Sequence, residues 1–266
     1  MKSIEAWLQQ NQGAFGRELR LLAAKHLGLT KTEMFTNSKQ EISIDLATNL
    51  FIYLKELDAG TPFFYLYGKR EFWSLDFEVN ENVLIPRPET ELVVEKAAEV
   101  AKQNGRVLEL GTGSGAISIA LQKERPDLEI VATDVSLKAI QTAEKNARKH
   151  DCKIDLIASD WFSGLTGKWD LILSNPPYIS VDDPHLENLK NEPTLALVSG
   201  ESGYEALYQI IQHAYHYLKK NGFIILEHGF DQALSVEQKL KKQYFKSVSS
   251  HQDLNQIKRI AIAQKD

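Results

Sequence analysis

The densest chemistry in the chain lies in five residues, Ser174-Asn175-Pro176-Pro177-Tyr178. Pro176 and Pro177 have no backbone N–H and a fixed φ, and each holds the residue before it extended. Asn175 adds an amide with an acceptor oxygen and an NH2 group, and Tyr178 adds a flat ring. A stiff loop of acceptors beside an aromatic face suits a planar group bearing NH2, either a carboxamide or the exocyclic amine of a base. The same residues also describe a proline-rich turn after a core strand.

A second set begins at Gly111-Thr112-Gly113-Ser114-Gly115, between the strand-like run Arg106–Leu110 and a helical run from Ala116 to Glu124. Strand, glycine-rich turn and helix form the nucleotide-binding opening of a doubly wound sheet. The third glycine comes one position too early for the dinucleotide fingerprint, and the Lys-Ser/Thr pair of a phosphate-binding loop is missing. Such a turn fits a nucleoside with an amino-acid tail better than a pyrophosphate. Asp134 ends the next strand (Leu128 to Thr133), where charge-assisted hydrogen bonds hold ribose hydroxyls in such folds. Ser136 and a helix to His150 leave helix capping as its alternative. After the third strand (Ile154 to Ala158), Asp160 can accept from the amine of an adenine while Trp161 covers the ring.

These groups act together only if several strands deliver them to one edge of a sheet. The fourth strand, Trp169 to Leu173, brings Asn175 there. Val181 to Gly203 is a long polar stretch, expected as a lid or rim loop. A helix (Tyr204 to Leu218), a strand (Phe223 to Leu226), another helix and two strands near Phe245–Ser250 and Lys258–Ala263 follow. Upstream, residues 1–60 carry apolar positions at helical spacing, such as Leu21, Leu22, Ala24 and Leu27, with Gly28 and Gly60 as stops. From Thr61 to Ile85 the period shortens toward two. Phe63, Tyr65 and Tyr67, then Phe72, Trp73, Leu75, Phe77 and Val79, read as a hairpin turning at Gly68-Lys69-Arg70, its aromatics packed between domains. Pro88 suits the first turn of the next helix, with Glu89 and Glu91 at its positive end. Arg87, held between two prolines, is assigned no role.

Composition removes several classes. The 266 residues are 43% hydrophobic and 25% charged, the ordinary globular range, enough for one large domain or two smaller ones. With 31 basic and 36 acidic side chains the net charge is −5, so no direct nucleic-acid partner is expected. The single cysteine, Cys152, excludes an intramolecular disulfide and a cysteine-built metal site and points to a reducing compartment. Seven histidines show no ligand set, and no metal is expected. No apolar run is long enough to span a membrane and residues 1–12 are unlike a signal peptide, so the expected location is cytoplasmic.

As a set, the motifs resemble the HemK/PrmC protein-(glutamine-N5) methyltransferases. These use S-adenosylmethionine to modify the Gly-Gly-Gln glutamine of class 1 peptide chain release factors. The likeness rests on Gly68 with Glu71-Phe72, Leu84 to Glu91, Gly111 to Gly115, Asp160-Trp161-Phe162, Asn175 to Tyr178 and Glu227-His228-Gly229, and so covers nearly the whole chain. Asn-Pro-Pro-Tyr is shared with adenine-N6 methyltransferases; the run Pro86 to Glu91 joined to it and to the glycine loop is specific. Asp253-Leu254-Asn255-Gln256 departs from a glycine turn usual in the family, and Asn255 is expected to supply the left-handed φ.

The resemblance implies an α/β fold, a class I S-adenosylmethionine-dependent methyltransferase with a Rossmann-like, doubly wound, seven-stranded sheet whose last strands run antiparallel to the others. It implies a small N-terminal helical docking domain (1–60), a β-hairpin linker (61–85) and the methyltransferase domain (86–266). The donor site would comprise Gly111, Thr112, Gly113, Ser114, Gly115, Asp134, Asp160, Trp161 and Asn175. The catalytic glutamine site would comprise Asn175, Pro176, Pro177 and Tyr178, and the release factor would be the partner of a monomeric enzyme. Three rivals fit less well. An adenine-N6 methyltransferase needs a basic face, an NAD-dependent oxidoreductase needs another glycine spacing, and a non-catalytic translation-factor binder has no use for intact motifs.

Overall fold

The structure, a computed structural model, describes residues 2–266. The chain divides into two compact units, one reaching Lys69 and the other spanning Arg70–Asp266. The first is built on α1 (Ile4–Asn11), α2 (Gly16–His26), α3 (Lys31–Asn37) and α4 (Ile44–Asp58). Three of these helices start where a side-chain oxygen covers an orphan N–H: Ser3 accepts from Ala6, Thr30 from Glu33 and Ser43 from Leu46. Gly28 and Gly60 follow α2 and α4, the stops expected. Apolar faces meet around Trp7, Leu8, Leu22, Met34 and Leu50.

The first arm of the expected hairpin is a helix instead. Phe63–Tyr67 forms α5, closed by Gly68 at φ +78. Phe63, Leu66 and Tyr67 share one helical face and pack on the core of the first unit, which wins over the period-two alternation of the same residues. The hairpin comes later, as β1 (Lys69–Phe72) and β2 (Leu75–Glu78), and turns at Trp73 and Ser74, both left-handed, rather than at Gly68-Lys69-Arg70. Its aromatics Phe72 and Phe77 are buried with Val93 and Val94 inside the second unit, not between domains.

The second unit continues, after a 3-10 turn at Pro88–Thr90, through α6 (Glu91–Val100), β3 (Arg106–Leu110), α7 (Ala116–Glu124), β4 (Glu129–Asp134) and α8 (Leu137–Lys149). Then come β5 (Asp155–Ala158), β6 (Trp169–Ser174), α9 (Glu205–Tyr217), β7 (Leu218–Glu227), α10 (Ala233–Lys242), β8 (Lys246–Gln252) and β9 (Lys258–Gln264). Sheet order is β5-β4-β3-β6-β7-β9-β8. Strands β3 to β7 pair parallel, whereas β9 pairs antiparallel with both β7 and β8. Only β9 is therefore reversed, and the expectation that both last strands oppose the rest holds for β9 alone. The α10 crossover returns β8 in the direction of β7, and the tight turn after it inserts β9 between them. In that turn the left-handed residue is Gln256 (φ 63), not Asn255. Asp253 stabilises it by accepting from the backbone N–H of Asn255 and Ile257.

Helices cover both faces of the sheet. Val107, Leu171 and Leu173 pack toward α6 and α7, and the alternate residues Leu108, Leu110 and Ile172 pack toward α9 and α10. This explains why the strands read as continuous apolar runs. The parallel direction leaves the C-terminal ends of β3, β4, β5 and β6 on one edge. Among the described residues no helix is long and apolar enough to cross a membrane.

Candidate active site

That edge opens into a cavity of about 610 Å³, the size of a small-molecule site. The glycine loop forms one wall through Gly111, Thr112, Gly113 and Ser114. Gly113 has φ +56 and open space where a Cβ would stand, so backbone can meet a ligand there directly. Gly115 does not line the cavity. A Cβ on it would come within 3.0 Å of Ile119 Cδ1 and 3.2 Å of Ala143 Cβ, so this glycine serves the close approach of α7 and α8.

Asp134 lines the cavity with its carboxylate fixed at both oxygens. Oδ2 accepts from Gly113 N (2.9 Å) and Oδ1 from Ser136 N (2.9 Å). Capping of α8 falls to Ser136, which accepts from Ala139 N. Burial pushes the Asp134 carboxyl above its ordinary value, and those two N–H bonds partly offset it. Trp161 and the exposed Asp160 line the same side, the indole beside Gly111.

Glu109, absent from the residues expected at the site, also lines the cavity. It is 1% exposed, and one oxygen accepts from Thr112 Oγ1 (2.8 Å), Ser118 N (3.2 Å) and Ser118 Oγ. The other oxygen has no partner among the described residues. Burial raises its pKa to about 7, and the charge of Asp134 adds to the rise. The signal was present in the sequence: a lone acid inside the apolar strand Val107-Leu108-Glu109-Leu110.

Asn175 and Pro177 line the cavity at the end of β6, next to the glycine loop that follows β3. Asn175 Nδ2 donates to Thr90 Oγ1 (3.2 Å), which leaves Oδ1 as the free acceptor end of the carboxamide. Pro176 is buried. Tyr178 does not line the cavity, and its ring packs in the core behind. Its hydroxyl donates to Glu227 Oε1 (3.4 Å) and its carbonyl accepts from Gln232 Nε2 (3.1 Å). Burial pushes the Tyr178 hydroxyl well above its usual value and raises Glu227 to about 7.

The rim loop contains 3-10 turns at Pro184–Leu189 and Thr194–Ala196, and Pro193, Leu195 and Val198 line the cavity. Between those turns the buried Glu192 pairs with Arg87 and accepts from Ile85 N (3.2 Å). Arg87 thus ties the rim loop to the proline-rich segment. Chemically, the cavity joins two carboxylates that repel each other, and so favour a cationic ligand, to an amide acceptor.

A sheet with only its inserted β9 reversed and a glycine loop at the C-terminal edge of β3 is the class I methyltransferase fold. Residues 88–192 match the family model described as methyltransferase small domain. In structure, the chain is similar to a methyltransferase from Pyrococcus furiosus, with TM-score 0.57 and 18% identity over 82% of this chain and 98% of that one, a likeness of fold alone. In sequence, it is 38% identical over 251 residues to the release factor glutamine methyltransferase of Escherichia coli (strain K12), covering 92% of this chain and 91% of that one. The release factor glutamine methyltransferase of Haemophilus influenzae is 36% identical over 252 residues, covering 88% and 86%. The chain belongs to the release factor glutamine methyltransferase family.

Proposed function

We propose that the protein transfers the methyl group of S-adenosylmethionine to the side-chain amide nitrogen (N5) of the glutamine in the Gly-Gly-Gln motif of class 1 peptide chain release factors, in support of translation termination. One observation carries this most directly. A single cavity joins an acidic, glycine-lined end to Asn175, whose NH2 is engaged by Thr90 so that its oxygen remains to accept. The relatives' names support the choice of a glutamine over a nucleobase.

The residues fit the donor. Glu109, with one buried oxygen unpartnered among the described residues, would accept from its ammonium group, beside the backbone of Gly111 to Ser114. Asp134 would accept from the ribose hydroxyls, and Asp160 and Trp161 would hold the adenine. When bound, S-adenosylmethionine supplies an electrophilic methyl on a sulfonium. Asn175 Oδ1 and the Pro176 carbonyl would accept both N–H bonds of the substrate amide and so orient its nitrogen. Such orientation is worth roughly 7–11 kcal/mol in favourable systems. Each fixed acceptor adds on the order of 1–3 kcal/mol as positive charge grows on the nitrogen. No base is required before transfer, because the methylated amide sheds its proton readily. Pro177 offers the planar amide an apolar wall, while Tyr178 acts from behind through Glu227.

The helical unit would dock the release factor. On it, Arg17, Arg20 and Lys31 surround an apolar hollow floored by Leu21 and Met34, with Phe35 71% exposed at its side. Incubation with methyl-labelled S-adenosylmethionine and release factor, followed by peptide mapping, tests the proposal. Label on the Gly-Gly-Gln glutamine is expected; absence of transfer, or label elsewhere, overturns it.

A further inference from the structure

Thr90 lies in the run Pro86-Arg87-Pro88-Glu89-Thr90-Glu91, where its letter reads only as the end of a helix start. The fold gives it another setting. It is 5% exposed, its Oγ1 accepts from Asn175 Nδ2 at 3.2 Å, and it contributes to the cavity lining. A threonine hydroxyl that accepts from an amide still has one proton to place. Near it lies Glu227, 2% exposed, whose raised pKa the neighbouring Thr90 side chain partly lowers. The same carboxyl receives the Tyr178 hydroxyl on Oε1. Tyr178 thus reaches this buried carboxyl directly, and Asn175 reaches Thr90, which lies near it.

We infer that Thr90, backed by Glu227, is a positioning residue that fixes which end of the Asn175 carboxamide faces the substrate. An amide can sit either way round in a pocket at nearly equal steric cost, and only hydrogen-bond polarity distinguishes the two orientations. When Glu227 is ionised it only accepts, so in this arrangement Thr90 would turn its proton toward Glu227, accept from the Asn175 NH2 and leave Oδ1 toward the cavity. In the reversed orientation Asn175 would present NH2 to the NH2 of the substrate, and the acceptor would be lost. Tyr178 donating to the same carboxylate keeps that group in its accepting role.

The inference rests on the proposed transfer to a carboxamide, and its tests separate the two. Thr90→Val keeps the shape and removes the hydroxyl, whereas Thr90→Ser keeps the hydroxyl. The expected result is a fall of about tenfold in single-turnover kcat for Thr90→Val, the worth of one hydrogen bond. S-adenosylmethionine affinity and the KM for release factor should hold, and Thr90→Ser should restore the rate. In an Asn175→Ala background Thr90→Val should have no further effect. A full additional loss there, or a Thr90→Ser rate as low as that of Thr90→Val, overturns the inference. If the wild-type protein fails to methylate release factor, the side-chain NH2 resonances of Asn175 still decide the matter. They should shift in Thr90→Val and stay in place in Thr90→Ser; resonances unmoved in both overturn it.

Discussion

Two buried glutamates, Glu109 in the site and Glu227 behind Asn-Pro-Pro-Tyr, are in nearly the same physical state. Both are 1–2% exposed, burial raises both to about 7, and each has one oxygen without a hydrogen-bond partner among the described residues. Their neighbours differ. Glu109 lines the cavity and is gripped by Thr112 and Ser118 on the glycine-loop side. Glu227 is not part of that lining and touches Tyr178 and Thr90 instead. A buried carboxylate destabilises a fold unless something compensates it. At Glu109 the compensation would come from the positive charge of a ligand; at Glu227 it comes in part from the Tyr178 hydroxyl, and the inferred role of Thr90 beside it is to set the polarity of Asn175. On the proposed reading the same group would serve charge at Glu109 and orientation at Glu227.

The largest expected effect falls at the orientation end. Asn175→Ala should lower single-turnover kcat on the order of 10²–10³-fold, roughly 3–4 kcal/mol, with S-adenosylmethionine affinity nearly unchanged. Asn175→Asp should retain part of the rate, since a carboxylate also accepts. A mutant with normal kcat and a raised KM would make Asn175 a binding group and weaken the contrast.

At the donor end, Asp134→Ala should reduce S-adenosylmethionine affinity by roughly 30-fold or more, because one carboxylate would hold the ribose and also orders Gly113 N. Calorimetry with unchanged affinity would remove Asp134 from the donor site.

Glu109→Gln sharpens the comparison most directly. Donor affinity should drop about tenfold, while Glu227→Gln should leave it alone. Stability should move the other way. The Glu109 carboxyl rises from 4.5 unfolded to about 7 folded. Between those values the folded chain holds the extra proton, so stability is present below pH 4.5 and declines as pH rises through 7. Glutamine does not titrate. The ligand-free variant should therefore match the wild type near pH 5 and exceed it at pH 8, by up to about 3 kcal/mol. Thermal unfolding at the two pH values measures this, and equal curves at pH 8 would mean that Glu109 is not strained by its burial.

The smallest effect belongs to the helical unit. Arg17→Glu with Lys31→Glu should raise the KM for release factor several-fold, about 1 kcal/mol, without altering donor affinity. An unchanged KM would place docking elsewhere.

What could be read from the sequence was local. Strand, glycine turn and helix at 106–124 follow from neighbouring residues, and the stiffness of Pro176-Pro177 is a covalent property of proline. The stops at Gly28 and Gly60 and the start of α6 after Pro88 belong to the same kind. Local rules also misled where two periods fit, and Phe63–Tyr67 became a helix because its apolar face had a core to meet. The remainder required the tertiary structure. The Asn175 amide and the Thr90 hydroxyl are 85 residues apart, and Tyr178 and Glu227 are 49 apart. The sequence by itself determined that the glycine loop, Asp134, Asp160, Trp161 and Asn175 would lie at the edge of the sheet, but not that Glu109 and Thr90 would join them or that Tyr178 would stand behind. The direction of a hydrogen bond, the pKa of a buried acid and the reversal of β9 depend on partners brought together only by the folded sheet, because burial and polarity are properties of a surrounding and not of a residue.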